Sequence, residues 1–188
     1  MTEAEFKAAD LLKKGGVVVL PTDTIYGLTG SALSPETIER LYRLKKRNPL
    51  KPFLILISDE TDLGRFGIKP RPAEKKLLAS VWPGPVSVIL SCGAGGFDYL
   101  HRGTRTVAFR LPEKAPLRGL LKMTGPLAAP SANPEGLPPA RNVSEARAYF
   151  GDQVDFYVDG GFLTGAPSKI VKISGGKFVI IRPTDSSA

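Results

Sequence analysis

Apolar positions along the chain fall into short blocks of two different periods, and the two kinds of block interleave. "TEAEFKAADLLKKGG", residues 2–16, predicts a helix capped by Thr2, with Glu5 completing a capping box and Gly15 ending it. "VVVLP", 17–21, has no charged or hydroxyl residue and predicts a buried strand. "SPETIERLYRLKKR", 34–47, predicts a second helix. Ser34 is its cap, Pro35 lies in its first turn, and Ile38, Leu41, Tyr42 and Leu44 form its apolar side. "FLILIS", 53–58, predicts a strand buried on both faces, and "RPAEKKLLASVW", 71–82, a helix stopped by Pro83-Gly84. "VSVIL" (86–90) and "TVAFRL" (106–111) predict strands, and "APLRGLLKM" (115–123) a short helix. "PLAAPSAN", 126–133, reads as a strand running into a loop. "NVSEARAYF", 142–150, predicts a helix with Asn142 and Glu145 as a capping box, and "VDFYVD", 154–159, a strand. Residues 169–182 predict a hairpin turning at Gly175-Gly176. Interleaved strands and helices with an antiparallel end imply an α/β chain built on a mixed sheet.

Composition narrows the chemistry. The chain has 188 residues, 42% of them hydrophobic, which suits one domain over 1–188 with a real core. The longest apolar run, Phe53 to Ile57, is far short of a membrane span, and the polar start "MTEAEF" shows no secretory pattern. With one cysteine, Cys92, a cytoplasmic protein is expected. One histidine, His101, and one cysteine leave no His/Cys zinc cluster, and a Ser-His-Asp triad could use only His101, which reads as a loop residue. "CGAGGF", 92–97, reads as a turn, because it opens no helix. The net charge of +8 favours phosphate-rich partners, nucleotide or nucleic acid.

Four polar clusters sit at the ends of apolar segments, where α/β sheets place ligands. "PTDTIYGLTG", 21–30, reads as a loop offering the hydroxyls of Thr22 and Thr24. "KKRNPLK", 45–51, offers Lys45, Arg47 and Lys51 as phosphate partners, although cations also suit a helix C-terminus. In "TVAFR", Thr106 and Arg110 are four apart on a strand and share a face, with Val107 and Phe109 on the other. An interior arginine needs an anion or a partner. "PSANPEG" places Ser131 and Asn133 in a loop stiffened by Pro130 and Pro134. Asp152, Asp155 and Asp159 read as strand-end and turn residues.

"PTDTIYGL", "KKR" followed by "KPF", "WPGPVSVIL", "TVAFRLP", "PSAN" and "IIRP" occur in this order. Together they resemble the YrdC/TsaC family of threonylcarbamoyl-AMP synthases, of the short, single-domain type. The resemblance implies a YrdC-like twisted, mixed parallel/antiparallel sheet flanked by helices, with a basic concave cleft. It implies synthesis of L-threonylcarbamoyl-AMP from L-threonine, bicarbonate or CO2 and ATP, with pyrophosphate released and Mg²⁺ carried by ATP. A downstream tRNA threonylcarbamoyltransferase would use the product, and tRNA could bind the basic cleft. By motif match, Lys45 and Arg47 are catalytic. Arg47, Lys51, Thr106, Ser131, Asn133 and Arg182 bind ATP, and Thr24, Arg110 and Ser168 bind threonine. Tyr26 either walls the pocket or is a plain core aromatic. The family usually has Ser-Thr-Val-Val-Asp where this chain has "SKIVK", and Ser-Gly then Ser-Pro-Thr where it has "PEGLPPAR". Two alternatives remain: a YrdC-like relative that adenylates another carbamate, and a non-catalytic RNA-binding module.

Overall fold

The structure is a computed structural model, and it describes residues 1–92 and 95–184. Nine strands among the described residues form one mixed sheet. In chain order these are β1 (Val18–Pro21), β2 (Tyr26–Ser31), β3 (Leu54–Leu56), β4 (Val86–Ser91), β5 (Thr106–Arg110), β6 (Leu127–Ala128), β7 (Phe156–Tyr157), β8 (Lys169–Ser174) and β9 (Lys177–Arg182). Their order across the sheet is β7-β1-β2-β6-β3-β5-β4-β8-β9. Three pairings are parallel, β1 with β7, β3 with β5 and β4 with β8, and the others are antiparallel. Helices α1 (Glu3–Lys13), α2 (Pro35–Lys45), α3 (Pro72–Ala79), α4 (Asp98–His101), α5 (Ala115–Thr124) and α6 (Val143–Phe150) fill the connections. The mixed, helix-flanked sheet is the one expected.

The unbroken apolar strands are explained by two cores, one on each face. Val17 and Val19 face one core, and Val18 and Leu20 the other. Ile55 and Ile57 likewise part from Leu56. Helices α1 and α5 cover the smaller core with Ala8, Ala9 and Leu12, and Leu117, Leu120 and Leu121. Full burial of a leucine such as Leu12 contributes about 1.5–3 kcal/mol. That face continues over β5, β4 and β8, where it carries the partly exposed Thr106, Ala108, Ile89 and Ile170. A cleft opens there. Val107, Phe109, Val88 and Val171 point away from it into the larger core. Thr106 and Arg110 thus share a face, as expected from their spacing.

Most local signals read as expected. Thr2 and Glu5 form their capping box, and Gly175 and Gly176 turn the last hairpin at φ 58° and 72°. Asn142 caps α6, but Glu145 reaches back to the Arg141 amide, so the expected box is only half formed. The reading of 21–30 as a loop needs correction. Only residues 22–25 turn, and β2 follows at once, antiparallel to β1. The expected helix over 71–82 is shortened to α3, and a 3-10 segment over Glu60–Phe66 precedes it. His101 lies on the short α4 rather than in a loop, and its Nδ1 accepts from the Gly103 amide. Of the turn expected at 92–97, Gly93 and Ala94 lie outside the described residues. No helix among them is long and apolar enough to cross a membrane.

Candidate active site

The β1–β2 turn is built by one hydroxyl. Thr22 Oγ donates to the Ile25 carbonyl at 2.6 Å and accepts from the Thr24 and Ile25 amides. The Thr24 hydroxyl lies 3.0 Å from that of Thr22 and borders the space beyond the turn. This is a Ser/Thr turn of the ordinary kind with one hydroxyl left facing outward.

That space is a cavity of about 750 Å³, its open mouth included. Thr24, Tyr26, Arg47, Arg110, Ser131, Ser168 and Arg182 all reach its wall, and Pro52, Phe53, Leu54, Ala108 and Ile170 supply apolar floor. No carboxylate is among its described lining residues, and three arginines, Arg47, Arg110 and Arg182, reach it. Apolar floor with a few convergent polar groups is the usual composition of small-ligand sites. Tyr26 both lines the cavity and is fully buried, its hydroxyl accepting from Gly160 N and donating to Gly161 O.

Arg110 is 2% exposed, and its partner is Asp23, from the same turn as Thr24, at 2.8 Å. The second Asp23 oxygen accepts from the Glu113 amide. Burial pulls the guanidinium below its ordinary pKa, and the Asp23 charge and hydrogen bond oppose that. Asp23 engages Nη1 alone, and Arg110 Nε is buried without a hydrogen-bond partner. Arg110 thus borders the cavity and keeps one buried donor that no protein group takes. A ligand carboxylate satisfies such a group well.

Lys45 and Asn133 hold the loop rather than the cavity. Lys45 Nζ donates to Ser131 O at 2.7 Å, Asn133 O at 2.6 Å and Asn133 Oδ1 at 3.2 Å. Asn133 Nδ2 donates to Leu137 O and Pro134 O. Burial lowers the Lys45 pKa to about 7, the Arg47 charge adding to this and Glu135 opposing it. With Ser131 Oγ at 3.5 Å, four oxygens surround this nitrogen, more than the two N–H donors of a neutral amine can serve, and so they favour the ammonium form. That Ser131 hydroxyl also reaches the cavity wall.

The other predicted residues divide in the same way. Arg47 lines the cavity over the Phe53 ring, at 5.6 Å to the centroid. Lys51 lies outside the lining and pairs with Glu135 at 2.8 Å. Thr106 is on the cavity face of β5, beyond Ala108, and its hydroxyl meets Thr104. Ser168 is buried against the Ser87 hydroxyl at 2.8 Å, and Arg182 donates to Ser168 O. So the structure gathers Thr24, Arg47, Ser131, Arg110, Ser168 and Arg182 at one wall, and puts Lys45, Lys51, Thr106 and Asn133 behind or beside it. Asp23, Ser87 and Glu135 were missed. Their partners are far away in sequence, and no local pattern marks them. Asp155 pairs with Arg40 and accepts from Val17 N, while Asp159 accepts from Gly161 N, as strand-end and turn residues do. Among the described residues, no group of three or more His, Cys, Asp or Glu could hold a metal ion.

Known proteins resemble this chain in sequence and fold. The chain is 34% identical over 168 residues to the threonylcarbamoyl-AMP synthase of Marinobacter nauticus, covering 87% of each. It is 29% identical over 181 residues to the protein of that name from Cellvibrio japonicus, covering 94% of each. P. abyssi Sua5 complexed with L-threonine superposes with a TM-score of 0.86 at 30% identity, over 96% of this chain. The chain spans 54% of that Sua5. A family model for Sua5, YciO and YrdC proteins, described as "Telomere recombination", matches residues 10–184. The chain belongs to the Sua5/YciO/YrdC family.

Proposed function

We propose that the chain is an L-threonylcarbamoyl-AMP synthase. It joins L-threonine, bicarbonate or CO2, and ATP, and it releases pyrophosphate. The observation that carries the substrate reading is Arg110, a buried guanidinium with an unspent Nε at a cavity it shares with Arg47 and Arg182. An amino-acid carboxylate fits the first, and phosphates fit the other two. The proteins of this name cover nearly the whole chain.

The chemistry needs no protein nucleophile. The neutral threonine amine bonds to CO2, one C=O π pair moves onto oxygen, and the nitrogen loses a proton to water, which gives a carbamate. A carbamate oxygen then bonds to the α-phosphorus of ATP as the bond from that phosphorus to the β-bridging oxygen breaks. The electron pair leaves with pyrophosphate. Thr24 meets the amine end of the substrate, and Arg110 takes its carboxylate. Ser168, held by Ser87, borders the same end. Arg47 and Arg182 neutralise charge growing on the phosphate oxygens, and Ser131 orients the adenylate. Lys45 acts through the loop it braces. Positioning and charge neutralisation are the main levers for phosphoryl chemistry of this kind. The cavity wall offers cations and hydroxyls rather than carboxylates. It suits an ATP that brings its own Mg²⁺, which disperses phosphate charge. The product goes to a transferase that modifies an adenosine beside the tRNA anticodon, and the +8 charge suits an RNA partner.

Pyrophosphate release from ATP and bicarbonate, measured with each amino acid in turn, tests the reading. Threonine should stimulate release well above serine, valine or none. Equal release with every amino acid, or none with threonine, overturns it.

A further inference from the structure

Two loops beside the cavity are tied to each other from both sides. From one side, the Lys45 ammonium reaches into residues 131–133. From the other, Glu135 reaches back into residues 48–51. Its Oε2 accepts from the Asn48 amide at 2.8 Å, and its Oε1 accepts from Lys51 Nζ at 2.8 Å. The Glu135 amide also donates to the Lys45 carbonyl at 2.7 Å. The turn it grips is already tight. Lys51 N donates to Asn48 O, and Leu50 N donates to Asn48 Oδ1. The Lys51 carbonyl at the end of that turn accepts from Arg47 Nε at 3.2 Å and from the Tyr42 hydroxyl at 3.0 Å. With Nε held there, and the guanidinium over Phe53, the arginine is fixed where it reaches the cavity wall.

We propose that Glu135 is a positioning residue for Arg47. Its carboxylate sets the 48–51 turn, and that turn sets the arginine that meets the phosphates. The proposal rests on the reading of this cavity as an ATP site. It makes a prediction opposite in sign to simple electrostatics. A carboxylate beside a phosphate site repels the ligand, so its removal alone should tighten ATP binding. If the carboxylate instead positions Arg47, its removal weakens binding, because a fixed fork gives way to a mobile one.

The experiment compares wild type, E135A, E135Q, R47A and the double variant E135A/R47A. ATP binding is read by calorimetry, threonine-dependent pyrophosphate release by rate, and folding by thermal melting. E135A should bind ATP about tenfold more weakly, with threonine affinity changed less than about twofold, the loss of one charge-assisted contact acting through a neighbour. E135Q keeps the shape and one acceptor oxygen, so it should fall between E135A and wild type. It also serves if E135A folds poorly. The double variant should bind ATP no worse than R47A, because the carboxylate acts only through that arginine. ATP binding that is unchanged or tighter in E135A and E135Q overturns the proposal, as do additive losses in the double variant. A wild type that binds ATP but releases no pyrophosphate with threonine instead overturns the functional reading, and the binding comparison still decides the role of Glu135.

Discussion

Asp23→Ala would leave Arg110 as a buried cation with no protein carboxylate. The two side chains are 2% and 10% exposed and 2.8 Å apart, so water replaces the lost partner poorly. Removing one member of a buried ion pair costs about 3–5 kcal/mol, because the desolvation of the survivor is no longer offset. For a chain of this size, that corresponds to a fall in melting temperature of about 6–20 °C. Urea denaturation followed by circular dichroism at pH 7 measures it. A second variant separates the charge effect from damage to the 22–25 turn. Asp23→Leu combined with Arg110→Met removes both charges and should recover most of the loss, since apolar pairs replace buried ion pairs at little cost. Threonine, which brings a carboxylate to Arg110, should raise the melting temperature of Asp23→Ala by more than it raises that of wild type. A loss below about 1 kcal/mol in Asp23→Ala would refute the reasoning, since exposed ion pairs are worth that little. So would a double variant as unstable as the single one.

Four other outcomes follow from the same geometry. Arg47→Ala should lower kcat/KM by roughly 100-fold or more in a protein that still melts as wild type does, the usual effect of losing a transition-state donor. Arg110→Lys keeps a charge but loses the fork, so the KM for threonine should rise about 10- to 100-fold with a much smaller change for ATP. Equal changes for both substrates would move Arg110 out of the amino-acid end. Asn133→Ala should destabilise the fold by about 1–3 kcal/mol, because the Leu137 carbonyl and the Lys45 ammonium each lose a partner; a melting temperature equal to wild type would show that the loop stands without it. For Lys45, the folded pKa of about 7 lies below the 10.5 of the free side chain. The unfolded chain therefore binds more protons between these values, and folding becomes more favourable as pH rises through that window, by up to about 1.4 kcal/mol per pH unit. Denaturant titrations from pH 6 to 10 should show this slope in wild type and not in Lys45→Met, and parallel curves would mean that the ammonium persists to ordinary lysine pH.

What could be read from the sequence follows from the range of the forces. The strand at 53–58 was legible because both cores demand apolar residues there, and the final hairpin because two adjacent glycines take positive φ at little cost. Strand β2 was not. "YGLTGS" lacks the branched alternation of a strand, and its glycines serve close packing instead. A Cβ at Gly30 would collide with Thr37 of α2. The shared face of Thr106 and Arg110 was legible, because a residue's face is set by its own strand. The site was illegible where a side chain's target lies on a distant loop. Lys45 and Lys51 look alike in "KKRNPLK", and only the return of the chain at 131–135 sends one under the loop and the other to Glu135. Asp23 sits in a turn that was read for its hydroxyls, and it meets Arg110 only when β1, β2 and β5 lie in one sheet.

Among the described residues, β6 is the strand that joins β7-β1-β2 on one side of the sheet to β3-β5-β4-β8-β9 on the other, and its pairing with β3 covers two residues. The cavity straddles this seam, with Thr24 and Tyr26 on one bank, Leu54, Arg110 and Ile170 on the other, and Ala129, Pro130 and Ser131 along the join. Short pairings open at lower free energy than long ones. Breathing of the sheet should therefore concentrate at this line. A substrate that spans both banks acts as a rivet, and its grip should slow amide exchange most at Gly30, Ser31, Leu127 and Ala128, residues that pair along the seam.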